Sequence, residues 1–169
     1  MIDSIPMMTW FIALFVGVGL LYLVQLRNRT QQPVAVWIDQ GRQTKPFYSK
    51  QYQLTGKPDA IMRKGSTLYS VEYKSRKNNI YDSDVIQLKA ASLLAREQGY
   101  NVRYGLIKTQ EKEYRIDLSS NEALFKELKP FIGLAREASK CLDVPAKPSK
   151  FKCQYCAYKS DCNYRYSSS

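Results

Sequence analysis

The chain has 169 residues, 26 Lys and Arg against 15 Asp and Glu, and a formal net charge of +11. That length suits one small domain with appendages, and the basic balance suits a polyanion, nucleic acid first and an anionic surface second. There is no histidine, which excludes Cys-His zinc fingers, Ser-His-Asp triads and histidine general bases.

In chain order, Ile5 to Leu26 carries no charged side chain, and the first basic residues are Arg27 and Arg29. Twenty-two residues at ~1.5 Å each reach ~33 Å, the span of a bilayer core. The acidic start, with Asp3, and the basic residues after the run favour a retained transmembrane anchor over residues 1–27 rather than a cleaved signal peptide or a buried core helix. The positive-inside rule then puts the rest of the chain in the cytoplasm, as a single-pass protein of the cytoplasmic membrane. Residues 28–47 read as a polar linker, with a short strand at Val34 to Ile38.

From residue 48 to 139 the rhythm is that of a mixed α/β domain. Tyr48 to Thr55 reads as a strand. Asp59 to Arg63 and Thr67 to Lys74 flank Lys64-Gly65-Ser66 and read as a hairpin. Ser75 to Asn79 is a polar break. Asp82 or Ser83 caps a helix from Asp84 to about Gln98, ended by Gly99, with Val85, Leu88, Ser92 and Ala95 along one side. Asn101 to Thr109 and Glu113 to Leu118 form a second hairpin. Ser119 or Ser120 caps a last helix to about Ser139, bent at Pro130.

The chemistry concentrates in Gly56-Lys-Pro-Asp59 and Glu72-Tyr-Lys74. On the predicted hairpin, Asp59 opens one strand and Glu72 lies near the end of its partner. Glu72 and Lys74, two apart, share a strand face. Two carboxylates can hold a hard divalent cation, Mg²⁺ or Mn²⁺, with the carbonyl of Tyr73 as a further ligand. Lys74 can orient a water or neutralise charge on a phosphate. Gly56 permits close approach of backbone to metal or substrate. An isolated E-x-K is more often a solvated charge pair. The apolar strand around Glu72, the Asp at matching spacing and Gln87 at the start of the next helix weigh against that.

All four cysteines fall in the tail, residues 140–169: Cys141, Cys153, Cys156 and Cys162. C-x₂-C followed by a third cysteine has the spacing of a metal or cluster site, with Cys141 either a fourth ligand or a buried helix-end thiol. Tyr155, Tyr158, Tyr164 and Tyr166 interleave with Lys152, Lys159 and Arg165, as a stacking surface for a single strand or as packing around the cysteines.

Gly56-Lys-Pro-Asp59, Glu72-Tyr-Lys74 and Gln87, followed by the cysteine cluster, resemble the motifs of RecB-like PD-(D/E)XK nucleases, and within them the CRISPR-associated single-strand exonuclease branch. The resemblance implies a restriction-endonuclease-like mixed sheet flanked by helices. It implies metal at Asp59 and Glu72, catalytic roles for Lys74 and Gln87, and single-stranded DNA as substrate. It also implies a [4Fe–4S] cluster on the cysteines, with zinc as the alternative. Two positions depart from the family pattern. Ala91 stands where it has a tyrosine, and no upstream histidine ligand exists. These departures motivate an alternative, a non-catalytic nucleic-acid-binding protein on the same fold. An iron–sulfur redox protein at the membrane is a third reading, and it gives Asp59 and Glu72 no purpose.

Overall fold

The computed structural model describes residues 7–30, 32–140, 146 and 148–166, with the side chains of 7–13 and 26–30 excepted. The chain divides into two compact units, Met1–Lys126 and Glu127–Ser169.

In the first unit, helix α1 (Met7–Thr30) is followed by strand β1 (Val34–Ile38) and a single 3₁₀ turn at Gly41–Gln43. Among the described residues no helix is long and apolar enough to cross a membrane. The side chains described in α1, residues 14–25, account for ~18 Å of helix against a hydrocarbon core of ~30 Å. This finding overturns the expected transmembrane anchor, and with it the single-pass placement in the cytoplasmic membrane.

The core of the unit is a five-stranded mixed sheet in the order β1-β4-β5-β6-β7. Strands β4 (Ala60–Lys64) and β5 (Thr67–Tyr73) form the expected hairpin, antiparallel from Lys64↔Thr67 to Ala60↔Val71. Gly65 makes the turn at φ 59°, a backbone conformation that glycine adopts without penalty. Helix α2 (Asp82–Glu97) then crosses over to β6 (Val102–Lys108), which runs parallel to β5. A second hairpin returns through β7 (Glu113–Asp117).

The expected strand at Tyr48 to Thr55 is instead a small ribbon of β2 (Phe47–Ser49) and β3 (Leu54–Gly56). Ser49 Oγ accepts from the Tyr52 N–H at 3.2 Å, and Gln53 sits at φ 51°, so the chain turns where alternation alone suggested continuity. Helix α2 packs against both this ribbon and the sheet, which explains burial on more than one side. Leu88, Ala91, Ser92, Leu93, Leu94 and Ala95 are all buried. Phe47, Ile61, Leu94, Ala95 and Val102 form one core cluster with Trp37 and Leu68 against it. Ser70 on β5 and Ser92 on α2 join hydroxyls at 2.5 Å, and Ser92 also donates to the Leu88 carbonyl.

Helix α3 (Asn121–Ser139) starts as expected, with Ser120 Oγ accepting from the Ala123 N–H at 3.3 Å. In the second unit a short helix, α4 (Lys150–Gln154), is capped by Ser149, whose hydroxyl accepts from the Lys152 N–H.

Candidate active site

The expected residues meet at one end of the sheet, where β5 stops and α2 begins. Asp59 lies one step before β4, and the β4–β5 register, extended by that step, sets it across from Glu72. Its side chain is fixed there because Oδ2 accepts from the Tyr73 N–H at 2.7 Å. Its backbone carbonyl accepts from the Asp39 N–H. The preceding Lys57 does not face the site. It pairs with Asp39 at 2.5 Å and donates to the carbonyls of Gly41 and Thr44, tying down the turn after β1. Gly56 serves packing rather than metal or substrate. A Cβ there would lie 3.3 Å from Leu94 Cδ1 of α2.

Glu72 is 2 % exposed. Its Oε1 accepts from Lys74 Nζ at 2.8 Å, while Oε2 is buried with no partner. Burial pushes its carboxyl above the usual glutamate range. The hydrogen bond from Lys74 opposes this, and the negative charges of Asp59 and Asp84 add to it. A buried carboxylate with one oxygen unsatisfied costs about 1–3 kcal/mol unless another group takes that oxygen.

Lys74 is the hub. Its ammonium reaches Glu72, Gln87 Oε1 at 2.9 Å and Asp84 Oδ1 at 3.5 Å, an acceptor for each of its three donors. The polar break after β5 lets α2 start beside the strand end, so Gln87, one turn into the helix, meets Lys74 as the motif order implied.

Asp84 is the member that sequence reasoning did not assign to the site. It is buried at the third position of α2, and its Oδ2 accepts from the Tyr81 N–H at 2.7 Å and from Arg76. Burial pushes its carboxyl up, but the hydrogen bonds and charge of Arg76 and the Tyr81 N–H outweigh that and leave it below the usual range. Tyr81 is therefore the residue before the helix, not Asp82 or Ser83. The available signal was spacing. Asp84 is three residues before Gln87, on the same helical face. Ala91 is buried and offers no polar group to a nucleic-acid strand.

The donor set tests the fit to a metal. Among the described residues no group of three or more His, Cys, Asp or Glu is placed to hold an ion. The protein would thus contribute two carboxylates, Asp59 and Glu72, and leave the remaining positions to a carbonyl and water. That suits Mg²⁺, which keeps several waters, and the orphaned Glu72 Oε2 is the oxygen such an ion would take.

The tail gives a different picture. Cys153, Cys156 and Cys162 are free thiols, and Cys153 Sγ accepts from the Tyr166 N–H at 3.3 Å. Cys141 lies outside the described residues. Tyr155 and Tyr158 stand exposed.

A family model described as the PD-(D/E)XK nuclease superfamily matches residues 14–163. No curated protein matches the chain. The solved structure described as "Crystal structure of SSO0001" is similar over 96 % of this chain and 73 % of that one, at 15 % identity and a TM-score of 0.41, a likeness too distant to carry an argument.

Proposed function

The chain belongs to the PD-(D/E)XK nuclease superfamily, and from that premise we propose that it is a divalent-metal-dependent deoxyribonuclease acting on single-stranded DNA. The observation that carries this reading is the buried, unpartnered Oε2 of Glu72 beside Asp59 and Lys74. Asp59, Glu72 and the Tyr73 carbonyl would hold Mg²⁺ or Mn²⁺, which supplies Lewis acidity toward the phosphoryl oxygen and a bound water of lowered pKa.

The chain's own residues do the rest. Asp59 is pinned by the Tyr73 N–H, so its orientation is set before substrate arrives. Lys74, held by Glu72, Gln87 and Asp84, is a fixed positive charge at the strand end, able to stabilise charge that builds on the phosphate. Gln87 steadies Lys74 through its Oε1 and keeps its amide N–H₂ for a substrate oxygen or a water. The net charge of +11 supports a polyanionic substrate.

For the tail, the spacing of Cys153, Cys156 and Cys162, with Cys141, supports a [4Fe–4S] or zinc centre. The visible spectrum of anaerobically purified protein tests it, and a colourless, zinc-free preparation excludes both.

The deciding experiment for the enzyme is digestion of labelled single-stranded DNA by the whole chain with Mg²⁺ or Mn²⁺ and with EDTA. Cleavage that needs the ion and is lost in Lys74→Ala is expected. Salt-sensitive binding without any cleavage would instead establish a non-catalytic nucleic-acid-binding protein on this fold.

A further inference from the structure

On the sheet face opposite α2, away from Glu72 and Lys74, three side chains form a layered stack. Tyr69 on β5 and Tyr104 on β6 lie face to face, ring centroids 4.9 Å apart and 6° from parallel. The Arg115 guanidinium of β7 lies over the Tyr104 ring at 4.1 Å. With Tyr69 on one side of Tyr104, Arg115 covers the other, so the outermost plate of the stack is a planar cation. Its side chain is 64 % exposed, and Asp117 takes only its Nε, at 3.3 Å.

Beside this plate an open groove of about 420 Å³ is lined by Lys64, Thr67, Arg103, Tyr104 and Arg115. Three of the five are cations and none is a carboxylate. Among the described residues Lys64 and Arg103 make no ion pair, and both are exposed. Arg103 reaches the groove because of a bulge. The β5–β6 register jumps from Leu68↔Val102 to Tyr69↔Tyr104, leaving Arg103 as the extra residue, and a bulge re-aims the side chain it carries. Arg103 also lines the neighbouring cavity with Arg96 and Asn121, which extends the positive strip along that end of the sheet.

We propose that this groove is a second nucleic-acid site, which grips a single-stranded polynucleotide at a distance from the catalytic end of the sheet. Unpaired cations take successive phosphates, and the flat Arg115 plate, backed by two tyrosines, stacks an unpaired base of any identity. From Thr67 to Glu72 along β5 is ~17 Å, so one strand a few nucleotides long can occupy both places. The groove then holds the part of the strand that is not being cut. This inference takes its substrate class from the nuclease reading, yet it concerns binding alone.

The test is fluorescence anisotropy of a labelled dT₂₀ oligonucleotide with the full chain in EDTA, where no cleavage occurs. The variant Lys64→Ala/Arg103→Ala/Arg115→Ala, all at exposed positions, should bind at least ~10-fold more weakly, and its slope of log K against log salt should be shallower by about 2, near 0.7 for each lost phosphate contact. Arg115→Lys keeps the charge and loses the plate. It should weaken binding ~5-fold or more with the slope unchanged. Unaltered affinity and slope in the triple variant, with a native circular dichroism spectrum, overturn the proposal. So does a variant that loses binding to phosphatidylserine vesicles but keeps dT₂₀. If wild type binds through this groove but does not cut with Mg²⁺, the nuclease reading fails and the groove stands. If it cuts and the triple variant binds as wild type does, the groove fails and the nuclease stands.

Discussion

Replacing Glu72 by glutamine separates the metal role of this residue from a merely structural one. In the metal-free protein Glu72 is 2 % exposed, and its Oε2 has no partner. The glutamate charge is therefore a liability to the fold. Its carboxyl titrates above the ordinary value because of burial and the nearby Asp59 and Asp84. For a carboxyl raised in the folded state, the folded protein binds the proton more tightly than the unfolded one. The stabilising contribution is full below the unfolded pKa and is lost as pH rises through the raised folded value. An unsatisfied buried acceptor costs about 1–3 kcal/mol, and 1 kcal/mol is about 2–4 °C of melting temperature for a chain of this size. In EDTA at pH 8, Glu72→Gln should therefore melt a few degrees above wild type, and the gap should close near pH 4, where the wild-type acid is neutral and nearly isosteric. Magnesium reverses the order. At 100 times its dissociation constant an ion adds about 2.7 kcal/mol to a protein that binds it only when folded, and the variant should lose most of that gain along with cleavage. Differential scanning fluorimetry across pH, with and without Mg²⁺, reads all of this. A variant that melts below wild type equally at pH 4 and pH 8, and still gains from Mg²⁺, would refute the reasoning. Glu72 would then be held only by its bond to Lys74.

Lys74→Ala should lower the cleavage rate by at least ~10²-fold, the scale of one lost transition-state donor. It should also reduce stability in EDTA, because Glu72 and Asp84 lose the cation between them. Single-turnover assays and thermal melts check the two arms separately. Asp84→Asn should leave the Mg²⁺-induced rise in melting temperature intact while slowing cleavage, since Asp84 positions Lys74 and the start of α2; loss of the Mg²⁺ shift would make Asp84 a ligand instead. Gly105→Ala should destabilise by about 1–3 kcal/mol in urea titration. Its Cβ would meet Leu88 Cδ2 at 2.5 Å, and that leucine is fully buried with no room to yield. Cleavage per folded molecule should be unchanged.

Much of the fold follows from local rules that the sequence states openly. The Gly65 turn, the hairpin around it, the helix ending at Gly99 and the strand pair around residues 109–113 depend on turn chemistry and periodicity over a few residues, so they were legible. The ribbon at Phe47–Gly56 was not, because its turn rests on a side-chain hydrogen bond from Ser49 that alternation does not register. The apolar run near the N-terminus misled for a similar reason. Hydropathy counts residues without their placement, and no described helix meets the length and apolarity of a span.

The candidate site divides along the same line. The D…E-x-K order and Gln87 are visible in the chain because strand alternation and helix spacing alone bring Glu72, Lys74 and Gln87 toward one point. What an ion would find there was decided by tertiary structure. Burial of Glu72 leaves one oxygen without a partner, the Tyr73 N–H fixes Asp59, and the parallel crossover of α2 brings Asp84 against Lys74. Sequence fixes which groups exist and their local spacing. Only packing sets how far water is removed from each, and that removal decides whether a carboxylate is an ordinary surface charge or an open metal ligand.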